Sequence, residues 1–270
     1  MLQVIHNIRK TVEEMQPLIH CITNPISINQ CANGILAICG RPMMAEHPRE
    51  VAEITRTAQA LMENLGNITD ARMESIVISA TTAKEMGIPF LLDAVGIACS
   101  TLRREYMKKL LTTATPAVIK GNYSEIQALY RDSYRSSGVD ADSSLDIHSI
   151  DHAAVSLARC LGTVILASGK VDIVTDGNRL FHIHNGTPLL SQITGTGCLQ
   201  GALCAAYLSA KPGIEAVITG CAVLGICGEL ARKDLGTGTF LCSLMDQLST
   251  LKDTEIEKYL NLEEISIETI

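Results

Sequence analysis

Short apolar runs alternate along the chain with longer segments of mixed polarity. LIHCI (18–22), ALMENL (60–65) and PFLLDA (89–94) are each followed by a periodic or charged stretch, at 26–39, 69–87 and 101–113. AVIKG (117–121) and TVILAS (163–168) are further apolar runs that end at glycine or a polar turn. This is the strand-then-helix rhythm of a parallel sheet with helices on both faces. The runs themselves do not alternate polar and apolar residues, which suits strands covered on both sides.

Later segments modify that picture. RDSYRSSGVDADSSLD (131–146), rich in Ser and Asp, predicts a surface loop rather than a domain boundary. VDIVTDGNRLFHI (171–183) holds two β-rich runs around Asp176-Gly177-Asn178, a hairpin signal that adds antiparallel strands. Beyond Gly195 the pattern turns almost wholly helical, with Ala-rich, nearly uncharged segments at 198–210 and 214–231 that require burial. There is no internal repeat, and residues 1–270 are expected to form a single α/β domain.

Composition narrows the function classes. The chain is 47% hydrophobic and 19% charged, with six Tyr, three Phe and no Trp, so its core must be aliphatic, Met, Ala and Cys. A chain of this size removes roughly 70–75% of its unfolded surface on folding and needs no metal or disulfide staple. The net charge of -7 and the scarcity of aromatics argue against nucleic acid as a partner. The longest apolar stretch, 216–228, falls short of the ~18 residues of a membrane span. The N-terminal residues lack the apolar run of a secretory leader, so a cytoplasmic location is expected. The ten cysteines include no CxxC pair; most, such as Cys31, Cys39, Cys204, Cys221 and Cys227, lie among apolar neighbours, and neither zinc nor a structural disulfide is expected.

In open parallel sheets ligands bind at the carboxyl ends of the strands. Those ends read Asn24, Asp93, Lys120-Gly121-Asn122 and Ser168-Gly169-Lys170. The mixture suits a metal–phosphate ligand, because phosphate needs donors and its cation needs carboxylate oxygens. Taken singly, Asp93 and Lys120 also read as ordinary strand-end charges in water. A sharper signal is Gly195-Thr196-Gly197-Cys198 at the start of an Ala-rich helix, where backbone N–H groups can face an anion. It is not a Walker A loop, since no Gly-Lys-Ser/Thr follows. A helix-start thiol such as Cys198 tends toward a lowered pKa, which would fit a base or nucleophile. His182 and His184 share one strand face but have no third ligand in view, so they read as hairpin surface residues. His20 reads as a satisfied histidine near the end of the first strand, and Met43-Met44 as core filler unless the surrounding pattern says otherwise.

Pro17–Asn24 (PLIHCITN), Ala32-Asn33, Pro42-Met43-Met44, Leu92-Asp93, Gly121–Ile126 (GNYSEI), Asp176-Gly177 and Gly195–Cys198 (GTGC) occur in an order and at separations that closely resemble the hydroxyethylthiazole kinase family of thiamin salvage. That family belongs to the ribokinase-like superfamily, and the resemblance runs from about Pro17 to about Leu248. It implies a ribokinase-like α/β fold that transfers the γ-phosphate of ATP to the hydroxyl of 4-methyl-5-(2-hydroxyethyl)thiazole with Mg2+ present. It further implies Cys198 as catalytic base, the Gly195, Thr196 and Gly197 amides as an anion hole, and Asp93 and Glu125 on the metal side. Asn24, Lys120 and Ser168 match nucleotide-phosphate positions, and Met44 and Gly195 match the thiazole pocket. Family members are trimers with the pocket between subunits, so a homotrimer is expected.

The chain departs from the family pattern in four places. Lys120-Gly121-Asn122 stands for Arg-Gly-Asn, Ser168-Gly169-Lys170 for Thr-Gly-Glu, Asp93-Ala94-Val95-Gly96 for Asp-Pro-Val-Gly, and Cys39-Gly40-Arg41-Pro42 for Gly-Ala-Ser-Pro. The loss of proline after Asp93 predicts a looser or altered turn. Two rival readings are a kinase for another small alcohol such as hydroxymethylpyrimidine, disfavoured by Cys198, and a degenerate paralogue that binds without turnover.

Overall fold

A computed structural model describes residues 1–136, 146–234 and 236–269. The strands are β1 (Leu18–Ile22), β2 (Arg41–Met43), β3 (Ala60–Asn64), β4 (Phe90–Asp93), β5 (Val118–Asn122), β6 (Val164–Ser168), β7 (Asp172–Thr175), β8 (Leu180–Ile183) and β9 (Leu262–Ile265). The helices α1 (Leu2–Met15), α2 (Ile28–Ala37), α3 (Val51–Thr57), α4 (Asp70–Met86), α5 (Thr101–Thr113) and α6 (Tyr123–Tyr130) precede segment 137–145. After it come α7 (Ile147–Leu161), α8 (Thr196–Leu208), α9 (Ile214–Leu230), α10 (Thr237–Thr250) and α11 (Asp253–Tyr259).

The strands form one sheet in the order β2-β1-β3-β4-β5-β6-β7-β8-β9. The six from β2 to β6 are parallel; β7, β8 and β9 run antiparallel to their neighbours. Asn64 pairs with Asp93, Asp93 with Lys120, and Asn122 with Ser168. Register thus sets polar strand-end residues side by side along one edge.

Local sequence explains where the helices start and stop. Thr69 accepts from Arg72 N at the start of α4, which ends at Gly87 in the left-handed conformation (φ 66°). Ser100 caps α5 in the same way. One face of the sheet is covered by α1, α2, α8, α9, α10 and α11, and the other by α3, α4, α5, α6 and α7. Helices α8 and α9 are buried along almost their whole length within this one chain, so their lack of charge is accounted for without a neighbouring subunit. They approach so closely that a Cβ at Gly220 would stand 2.9 Å from Cys204 N.

The predicted hairpin is present, with Asp176 N donating to Arg179 O at 3.3 Å and Gly177 at φ 87°. Two expectations need correction, and a third falls partly outside the described residues. The chain beyond Gly195 is not wholly helical, because β9 returns to the sheet beside β8. Of the predicted loop 131–146, residues 137–145 lie outside the described residues. Cys39 is exposed, in a left-handed turn (φ 67°), rather than in the core.

Candidate active site

Four strand ends converge on the first turn of α8. Cys198 Sγ accepts from Asn24 Nδ2 at 3.2 Å and from Asn64 Nδ2 at 3.3 Å. Asn64 Nδ2 also donates to Asp93 Oδ2 at 3.0 Å, and Asn64 Oδ1 accepts from Gly66 N at 2.7 Å. Lys120 Nζ lies 3.3 Å from both carboxylate oxygens of Asp93. Asp93 and Lys120 are 1% and 3% exposed, so they are not strand-end charges in water. Burying such a pair without good geometry is costly, which marks it as part of a built site.

The Gly195–Gly197 turn faces this pair. Gly195 sits at φ 94°, a conformation that strains an L side chain, and Gly195 O accepts from Leu199 N to begin the helix. The amides of Thr196, Gly197 and Cys198 precede that bond and belong to the first turn, whose N–H groups have no intrahelical acceptor. A Cβ on Gly197 would lie 3.8 Å from Lys120 Nζ, so an anion there meets both the helix N-terminus and the ammonium. Thr196 Oγ1 instead lies 2.7 Å from Leu190 O, anchoring the preceding turn, and leaves only its backbone for the site. Beside Gly195 the buried Oε1 of Gln30 has no partner, an acceptor turned toward the same space.

Burial pushes the Cys198 thiol above its ordinary value and the Asp93 charge adds to this, outweighing Lys120 and the Asn24 hydrogen bond. The expected lowering at a helix start is therefore overturned: desolvation in this position exceeds the helix-end field. Burial likewise raises Asp93, against the pull of Lys120. Lys120 is held above its usual range: burial opposes this, but the adjacent Asp93 charge prevails.

Glu125 is pushed up to about 7 by burial and by Asp93. Its Oε1 accepts from Gly96 N and its Oε2 from Asn122 N, both at 2.7 Å, in a capping box that opens α6. Those bonds also resolve the missing proline. Ala94 N donates to Lys120 O at 2.8 Å, a bond proline cannot make, and Gly96 is held by Glu125, so the turn after Asp93 is fixed rather than loosened.

Ser168 stands at the end of β6, with Oγ 3.4 Å from Gly121 O, one strand beyond Lys120. Lys170 is exposed, which places the departure from the family's acidic residue in solvent. Met44 lies just past the end of β2, half-buried against the core, at the far side of the same sheet edge. His20 is satisfied as expected, its nitrogens 2.9 Å from Thr55 Oγ1 and Ala45 O. His182 is not a surface residue; it is buried with Nε2 2.8 Å from Asp151 Oδ1.

Sequence reasoning missed Asn64, the residue that joins the thiol to the ion pair. The signal was present, since Asn64 is next to last in the run 60–65 as Asp93 is in the run 89–94, and each closes its strand. It also missed Asp172, whose carboxylate accepts from Gln200 Nε2 at 2.5 Å and is pushed up to about 6 by burial.

Known proteins share this arrangement of chain. The model of the hydroxyethylthiazole kinase family matches residues 9–254. Hydroxyethylthiazole kinase 2 of Clostridium botulinum (strain Hall) is 44% identical over 261 residues, covering 94% of this chain and 98% of that protein. Hydroxyethylthiazole kinase of Alkaliphilus oremlandii is 38% identical, covering 94% and 95%. A solved hydroxyethylthiazole kinase protein from Pyrococcus horikoshii superposes with a TM-score of 0.90 at 30% identity, over 98% of this chain and all of that one. Pyridoxal kinase from Staphylococcus aureus, solved with ADP, shares the ribokinase-like fold at a TM-score of 0.65 and 15% identity, over 93% of this chain and 98% of that one. With the family model matched over most of its length and relatives this similar across nearly all of theirs, this chain belongs to the hydroxyethylthiazole kinase family.

Proposed function

We propose that the chain, acting as one kinase domain over residues 1–270, transfers the γ-phosphoryl group of ATP to the primary hydroxyl of 4-methyl-5-(2-hydroxyethyl)thiazole. The observation that carries this reading is Cys198 behind the Gly195–Gly197 turn, bound by Asn24 and Asn64 next to the Asp93–Lys120 pair. The hydroxyl oxygen attacks the γ-phosphorus, the bond to the β-phosphate bridging oxygen breaks, and the hydroxyl proton passes to the Cys198 thiolate. The first-turn amides of α8 and Lys120 stabilise charge on the transferring group, a role worth most in a site closed to water. Ser168 and Asn24 flank the nucleotide phosphates. Met44 and Gly195 border the thiazole, with Gln30 Oε1 as an acceptor beside it.

Magnesium fits this donor set, because Asp93, Glu125 and the Asn side chains offer the hard oxygens it prefers. Both Glu125 oxygens already accept amides and Lys120 already faces Asp93, so Asp93 and Glu125 would hold the ion together with phosphates and water. When bound it neutralises phosphate charge.

The proposal includes a homotrimer and a cytoplasmic location. Ile26, Leu36 and Met43 are exposed around edge strand β2, an apolar border that a neighbouring copy would cover. All ten cysteines are unpaired, as in a reducing compartment. Among the described residues no helix is long and apolar enough to cross a membrane.

The test is ADP release from Mg·ATP with and without the thiazole alcohol. Alcohol-dependent release supports the kinase. Thiazole binding without such release would leave a binding protein only, and stronger turnover of hydroxymethylpyrimidine would reassign the acceptor.

A further inference from the structure

The described residues hold a second group of potential ligands outside the catalytic edge network. His182 lies in β8 and His184 one residue past its end, two positions apart and so on the same side of extended chain, and antiparallel register sets Glu263 of β9 opposite His182. One ring nitrogen of each histidine and one carboxylate oxygen of Glu263 all lie within 4.8 Å of one another. The third ligand missing from the hairpin sequence thus comes from the end of the chain, across a strand pairing no local pattern reveals.

Behind this group sits Asp151 on α7, itself buried, with Oδ1 2.8 Å from His182 Nε2. A carboxylate in that position orients an imidazole and makes its other nitrogen a better donor to a metal. Asp151 Oδ2 is buried with no hydrogen-bond partner, so the carboxylate spends its bonding on His182 alone. On the outer side His184 Nε2 is 3.5 Å from Glu263 Oε2, and both side chains are open to solvent, so water can complete a coordination sphere.

We propose that His182, His184 and Glu263 bind a divalent transition-metal ion of the zinc type, with Asp151 as the buried carboxylate that positions His182. Two imidazoles, one carboxylate and an open position form a zinc ligand set, whereas magnesium and calcium select oxygen alone. The ion joins β9 to β8 and so fastens the last strand of the sheet.

The test is calorimetric titration of the full chain with zinc, repeated with magnesium, for the parent and for His184→Ala, Glu263→Ala, the two together, and Asp151→Asn. His184 and Glu263 are exposed, so the fold should survive their loss, checked by thermal unfolding without metal. Expected results are that the double variant binds one zinc ion fewer than the parent, Asp151→Asn weakens that ion roughly 10–100-fold, and zinc raises the melting temperature of the parent but not of the double variant. Cobalt at the site should show d–d absorption without thiolate charge transfer, separating it from the free cysteines. Equal zinc stoichiometry and affinity in parent and double variant, cobalt bound only through thiolate, or no zinc binding by the parent would overturn the assignment.

Discussion

Asn64 Nδ2 lies 3.3 Å from Cys198 Sγ, across 134 positions of sequence, and the same amide lies 3.0 Å from Asp93 Oδ2. One side chain therefore couples the proposed base to the buried ion pair. Asn64→Ala leaves Asp93 Oδ2 and Gly66 N each short of a partner, at a cost of about 1–3 kcal/mol in stability. Urea unfolding and steady-state turnover should both fall. Unchanged values in both would show that the network is incidental.

Replacing Cys198 separates packing from chemistry. Cys198→Ala should lower kcat by roughly 10²–10⁴, the span of a general base, while ATP affinity is kept. The raised thiol holds its proton at neutral pH, so the parent rate should climb as pH rises above neutral and thiolate forms. Cys198→Asp should stay active and lose that alkaline rise, because a carboxylate ionises earlier. Full activity of the Ala variant would reduce Cys198 to a packing residue.

The Asp93–Lys120 pair predicts an asymmetric mutant cycle. Lys120→Met strands a buried carboxylate and should cost about 3–5 kcal/mol, read by denaturant midpoint. Adding Asp93→Leu should restore much of that stability, since removing both charges also removes their desolvation penalty, yet leave no turnover. Failure of the second change to recover stability would mean that the pair is not coupled as its 3.3 Å contacts indicate.

Stability without ligands should fall as pH rises from mildly acidic to neutral. Asp172 is raised from 3.8 to about 6 and Glu125 from 4.5 to about 7. A raised acid binds its proton more tightly in the folded state, so its contribution is complete below the unfolded value and lost as pH climbs through the folded one. Asp172→Asn should flatten the slope between about pH 4 and 6, with Gln200 turning its amide to keep the hydrogen bond. An identical slope in this variant would exclude Asp172 as a source.

Much of the site was legible because chemistry at strand ends is local in sequence. The apolar runs placed β1, β3, β4, β5 and β6; Asp93 closes β4, and Lys120 lies two residues before the end of β5. Asn64 was less legible because apolar Leu65 follows it, so the run continues past the residue that closes β3. The direction of the Cys198 shift was not legible, since the neighbours that bury the thiol come from β1, β3 and β4.

The sequence by itself determined the parallel sheet, the hairpin and the Gly-Thr-Gly turn before a helix, because these follow from short-range periodicity and backbone freedom. Tertiary structure alone decided that Asp93 and Lys120 are buried together, that Ala94 and Glu125 fix the turn a missing proline had put in doubt, and that Glu263 meets His182. Each of those outcomes depends on strand register and on solvent removed by distant helices, and neither is encoded in any one segment.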